Sequence, residues 1–141
     1  MTDQAELIER WEPLPALPEH PFDSLDLTLV GQELVVTAYY GFDPPAPALQ
    51  INFGEPEAFK AYDEFSDPWM ETKLGQPMAN NSNLNPWVWP LQEVRNSLWL
   101  KRVVARNSPI IDFPWRHFVV VTGTVTLHVM TDGKPVAALV S

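Results

Sequence analysis

The chain contains no cysteine, so disulfides and thiolate metal sites contribute nothing to it, and a reducing compartment is permitted. Positive charge is scarce. Nine Lys and Arg face 18 Asp and Glu, for a net charge of −9. Such a surface repels phosphates, so DNA and RNA are disfavoured as partners. No apolar run approaches the ~20 residues that a bilayer crossing needs. The start, Met-Thr-Asp-Gln-Ala-Glu, lacks the basic residues and apolar stretch of a secretion signal. A cytoplasmic protein without membrane contact is therefore expected. Gly-x-Ser-x-Gly, a glycine-rich phosphate loop, His-Glu-x-x-His and a cysteine nucleophile are all missing. That removes the common enzyme signatures and favours, without requiring, a non-catalytic role. Nothing in the chain calls for a cofactor.

Proline, by contrast, is abundant: 15 residues of 141, about twice the usual ~5% share. Three long windows are free of it, 22–43, 91–108 and 115–134, and regular structure should concentrate there. The length fits one domain, with a helix-like start and proline-rich connector over 1–21 and a core over 22–141. Thr2 to Trp11 reads as a short helix capped by Thr2, with Leu7, Ile8 and Trp11 on one side.

In the first window Leu25, Leu27 and Leu29 alternate with polar residues. Gly31-Gln32 then makes a two-residue turn with glycine first. Leu29 faces Leu34, Leu27 faces Val36 and Leu25 faces Ala38, all on one apolar side. Residues 48–53 are a further strand. Residues 57–65 read as a strand through Phe59, Ala61 and Phe65, or as a helix through Phe59, Tyr62 and Phe65, with strand preferred. Ser97 is a good N-cap, and the main helix belongs at 97–106 with its bases toward the C-terminal end.

The end of the chain is its most strand-like part. His117 to Val121 and Thr124 to Met130 are rich in β-branched residues. Two turns, at Gly123-Thr124 and Asp132-Gly133, predict a three-stranded meander with Phe118, Val120, Val125, Leu127, Val129, Val136, Ala138 and Val140 on one face. Pro135 marks the last strand as an edge. The fold class expected is α+β and mostly antiparallel β. It would be a bent sheet, or a partly open barrel or sandwich, of six to seven strands with one main helix.

Charge is unevenly spread. Residues 1–71 hold fifteen acids against Arg10 and Lys60, a net −13, whereas residues 72–141 carry +4. An acidic face of this kind suits a basic protein partner. The candidate contacts are Asp63, Glu64 and Asp67, together with Trp87 and Trp89 in the long 75–90 loop, where Asn83 and Asn85 lie just before. Stacking on a sugar or anchoring a partner is one use for those indoles; burying the loop against the sheet is the simpler one. His117 and His128 fall on the face opposite the main core, as diagonal neighbours ~7–8 Å apart at Cα. They would be a metal clip, an acid–base pair, or two polar residues under cover. The last is favoured, because zinc needs three or four ligands and no others are placed.

Four pieces, Phe53 with Asp63-Glu64, Asn96-Ser97-Leu98-Trp99-Leu100, His117-Phe118-Val119-Val120-Val121, and a final strand pair, together resemble small uncharacterised bacterial proteins, some of them immunity-protein-like. The resemblance spans residues 49–131. It implies an α+β domain with a strongly bent antiparallel sheet and no catalysis, and it supplies no functional residues. Three expectations follow. The first is an immunity-type protein neutralising a basic partner. The second is a small-ligand or carbohydrate-binding β-domain or divergent hydrolase. The third is a homo-oligomer joined through the C-terminal edge strand.

Overall fold

The computed structural model describes residues 6–41, 47–63, 78–79, 89–107 and 113–140. Among them are ten strands in two sheets and one helix. In chain order they are β1 (Leu7–Arg10), β2 (Phe22–Val30), β3 (Glu33–Tyr40), β4 (Ala48–Asn52), β5 (Ala58–Asp63), β6 (Met78–Ala79), β7 (Leu91–Arg95), α1 (Leu98–Arg106), β8 (Arg116–Val121), β9 (Val125–Thr131) and β10 (Val136–Val140). The larger sheet has the order β5-β9-β8-β7-β1-β6 and the smaller one β10-β4-β3-β2. Every pairing is antiparallel except β1 with β6. The α+β, mostly antiparallel expectation holds, as two packed sheets and no closed barrel.

One apolar cluster lies between the sheets. Leu34, Val36, Ala38, Leu49, Ile51 and Phe53 come from the smaller sheet or just beyond it, and Leu91, Phe118, Val120, Leu127 and Val129 from the larger. Trp11 plugs one end, its ring 4.5 Å from Phe118 and 5.9 Å from Phe53. The proline-rich connector forms no regular element and lays Leu14 and Leu17 on the same core.

The β2–β3 hairpin has the register read from the leucine alternation, with Leu29 opposite Leu34, Leu27 opposite Val36 and Leu25 opposite Ala38. Gly31 sits at φ 64°, where a side chain is disfavoured. The burial is less even than the pattern implies. Exposure rises from 2% at Phe22 to 37% at Leu27 and 54% at Leu29, as the strand runs out from under the facing sheet.

The β8–β9 hairpin also has its expected register, with Phe118 opposite Val129 and Val120 opposite Leu127. The Thr122 hydroxyl organises its turn, donating to Val125 O at 2.7 Å and accepting from Val125 N–H at 2.9 Å. Gly123 closes a corner of the sandwich, where an added Cβ would lie 3.1 Å from Asp23 O.

Three expectations need correction. The meander does not form: β10 leaves the larger sheet and pairs with β4, with Val136 opposite Asn52 and Ala138 opposite Gln50. The edge of β9 that a third strand would need is taken by β5, in the register Phe59–Val129 and Ala61–Leu127. The Thr131 hydroxyl donates to Phe53 O at 3.2 Å, tying the end of β9 to the smaller sheet just before the crossing. Facing is reversed in consequence. Ala137 and Leu139 share the core side of β10, and Val136 is 70% exposed. Second, residues 7–10 form a strand rather than a helix, because β7 offers them a ladder, Leu7 opposite Arg95 through Arg10 opposite Gln92. Third, six to seven strands is an undercount; β1, β6 and β7 are additional, and β7 takes the start of the proline-free window 91–108, ahead of the helix. The ambiguous 57–65 stretch is strand through Asp63.

The helix lies where expected. Ser97 is its N-cap, its hydroxyl accepting from Leu100 N–H at 3.2 Å, and Arg106 stands in its last turn. No helix among the described residues is long and apolar enough to cross a membrane.

Candidate functional site

Three features of the fold are candidates: a buried histidine chain, a cleft beside the start of α1, and the surface of the smaller sheet.

His117 and His128 lie on the face of the larger sheet away from the main core, as the hairpin register requires. The face is covered, and both residues are fully buried. Their rings meet directly, His117 Nε2 to His128 Nδ1 at 2.9 Å. The other nitrogen of His117 contacts Ser97 Oγ at 2.8 Å. The indole of Trp99 closes over the pair edge-on, 4.9 Å from His117 and 6.1 Å from His128. Lys60, opposite His128 on β5, lies over Trp99 and beside Tyr62. Burial holds His117 well below the usual histidine range, and the neighbouring His128 and Lys60 push the same way.

Both nitrogens of His117 are engaged, so it has no lone pair to offer a metal. No group of three or more His, Asp or Glu side chains that could hold one occurs among the described residues. Ser97 is not poised as a nucleophile. Its oxygen caps α1, its residue is buried, and the adjacent helix-end donor, Leu98 N–H, is taken by Glu6. The chain Ser97–His117–His128 instead satisfies three buried polar groups at once and fastens the first turn of α1 to the sheet.

The cleft, about 410 Å³, lies among Arg95, Ser97, Lys101, Phe113, Trp115 and Arg116. Its guanidinium groups are already matched to carboxylates. Arg116 donates twice to Glu93, each at 2.8 Å, and Arg95 donates to Glu9 at 2.8 Å. Those bonds raise both arginines above their ordinary value. Asn96 turns the chain here from β7 into the helix cap with φ 56°, a conformation asparagine tolerates better than most.

The smaller sheet differs in kind. Its four strands contain no Lys or Arg, and they carry Asp23, Asp26 and Glu33. Of nine exposed large apolar side chains among the described residues, six belong to it: Leu27, Leu29, Val30, Tyr39, Val136 and Leu139. Asp26 accepts from the Tyr39 hydroxyl at 2.8 Å, which orients its carboxylate on the outer face.

Of the partner-binding candidates read from the sequence, Asp63 and Trp89 are among the described residues. Asp63 ends β5 and is exposed. Trp89 is not available to a partner. It is 3% exposed, its indole N–H donates to Trp11 O at 2.9 Å, and Arg10 covers its ring at 3.6 Å. Glu64, Asp67 and Trp87 lie outside the described residues. Sequence reasoning missed the exposed apolar set of the smaller sheet. Its signal was present in the absence of any Lys or Arg between Arg10 and Lys60.

Comparison with family models, with curated proteins and with solved structures finds no match for the chain.

Proposed function

We propose that the protein is a non-catalytic binding protein that docks a basic polypeptide on its four-stranded sheet. One observation carries this reading: the sheet combines exposed apolar anchors with acidic residues and has no cation in its strands. A basic surface with apolar contacts complements it in both respects. An immunity-type role, neutralising a basic protein, is the form of the function that the net −13 of residues 1–71 favours.

Two triple variants test it. Each charge reversal adds two units, so three take the net charge from −9 to about −3 in either variant. The first reverses the sheet (Asp23→Lys, Asp26→Lys, Glu33→Lys). The second reverses acids around β5 (Glu55→Lys, Glu57→Lys, Asp63→Lys). A basic host protein captured by wild type at low salt should be lost with the first and retained with the second. Equal capture by both, or loss only with the second, sinks the assignment to the sheet.

A small-ligand reading rests on the cleft, where the rings of Phe113 and Trp115 meet at 5.5 Å, tilted by 46°, beside Arg116. It is the weaker one, because Glu93 and Glu9 already occupy its guanidinium groups.

A further inference from the structure

The smaller sheet ends in a strand whose outer edge is open among the described residues. β2 is terminal in its sheet, and among the described residues that edge is engaged at Phe22, through a bridge to Thr122 and a bond from Gly123 N–H. From Leu25 to Val30 no described residue pairs with it. Edge strands are normally guarded by lysine, proline, a bulge or a short length. β2 has nine residues, no Lys, Arg or Pro, and its one irregularity lies at the closed end, between Phe22 and Ser24.

The hairpin turn tells which groups face out. With Gly31-Gln32 as a two-residue loop, Val30 and Glu33 form the hydrogen-bonded pair that closes it. Alternation then directs the backbone bonds of Thr28 and Asp26 toward β3, and leaves the N–H and C=O groups of Leu25, Leu27 and Leu29 pointing outward. Side chains of the same three leucines line the under-covered part of the inner face, and Asp26 sits on the opposite face with Thr28. The edge therefore presents donors and acceptors in one row, an apolar strip on one side of it and a carboxylate on the other.

We infer that β2 receives an extended segment of the partner as a fifth strand of this sheet, a segment whose residues alternate between apolar and Lys or Arg. Its apolar side chains continue the Leu25–Leu27–Leu29 strip, and its cations face Asp26 and Asp23. Main-chain bonds supply affinity and the alternation supplies selectivity. A second copy of this chain fits less well, because it would bring a further −9 to an edge that already carries two aspartates. The inference rests on the proposed function and adds the mode of recognition.

The probe is a short capped peptide in which lysine and valine alternate, followed by amide exchange on isotopically labelled protein. Bound peptide should slow exchange at Leu25, Leu27 and Leu29 at least tenfold and leave Ser24, Asp26 and Thr28 unchanged. Methylating alternate peptide amides should cost at least tenfold in affinity, and so should Leu27→Pro, which removes one outward donor. If Leu27→Pro fails to fold, the methylated peptide makes the same test on the wild-type protein. Binding without protection of the three leucines, and indifferent to methylation, would overturn strand addition while leaving a basic partner on the sheet face in place. Equal binding of the peptide with glutamate in place of lysine would overturn both. Protection that appears with protein concentration alone would make a second copy the occupant and overturn the proposal.

Discussion

His117 has a pH dependence that can be worked out in sign. Its ring is buried among Ser97 and Trp99 of α1, His128 of β9 and Lys60 of β5, and is held neutral. An unfolded chain protonates the same histidine near its ordinary value of about 6.5. Below that pH the unfolded state binds the extra proton, so stability falls as pH falls and continues to fall until the folded residue titrates. One histidine contributes a slope of at most about 1.4 kcal/mol per pH unit. Thermal melts from pH 7.5 to 5 should show wild type losing more than His117→Asn, whose amide can still reach Ser97 but does not titrate. Parallel curves would mean that His117 takes up its proton in the fold over the same pH range as in the unfolded chain. Ser97→Ala should cost about 2–3 kcal/mol in urea unfolding, since it removes a helix cap and strands a buried ring nitrogen. Ser97→Thr should recover most of that. The placement of the two histidines on one covered face was legible, because Phe118, Val120, Leu127 and Val129 allow one register only. Their bond to Ser97 was not, since it depends on where the helix docks.

Elements went wrong where a distant strand competed for an edge. Asp132-Gly133 is a strong local signal for a hairpin, but Gly133 does not adopt positive φ, and β5 already holds the edge of β9. A local turn preference is small beside a six-residue ladder that sets Phe59 opposite Val129 and Ala61 opposite Leu127, and periodicity within 124–140 carries no information about residues 58–63. Leu7, Ile8 and Trp11 show the same limit: their helical spacing is real, and the waiting edge of β7 overrides it. Cross-linking separates the two topologies. Gln50→Cys with Ala138→Cys joins directly opposed residues of β4 and β10, at the ~4.5–5.5 Å spacing of paired strands that a disulfide can span. Oxidation should close that pair in the folded protein. The hairpin pair, Leu127→Cys with Ala138→Cys, should stay reduced under the same conditions. Val136→Ala should change stability by no more than about 0.5 kcal/mol, and Val120→Ala should cost about 2 kcal/mol or more.

At the scale of the whole molecule the acidic excess acts on stability and on binding with opposite sign. The described ion pairs collect around Arg10, Arg95 and Arg116 at the β1–β7–β8 side, and every cation in them belongs to the larger sheet. The exposed pairs, Arg10 with Glu12 and Glu19 and Arg95 with Glu9, contribute about 0–1 kcal/mol each, whereas the Glu93 that Arg116 holds is buried. On the smaller sheet Asp23, Asp26 and Glu33 have no cation within their strands, so folding concentrates like charge there. Salt screens both effects over a Debye length of ~8–10 Å. Raising sodium chloride from about 20 to 300 mM should therefore raise the melting temperature of the free protein, because relief of repulsion outweighs the weakening of the exposed arginine pairs. The same salt should weaken a complex with a basic partner by slowing its association, since that partner is drawn in by the charge that strains the free protein. The sheet-reversed variant should lose most of the salt response of its melting temperature, and the variant reversed around β5 should keep more of it. A melting temperature that falls with salt in wild type would place the dominant electrostatics in the arginine pairs of the larger sheet, and the smaller sheet would lose its claim to be the docking face.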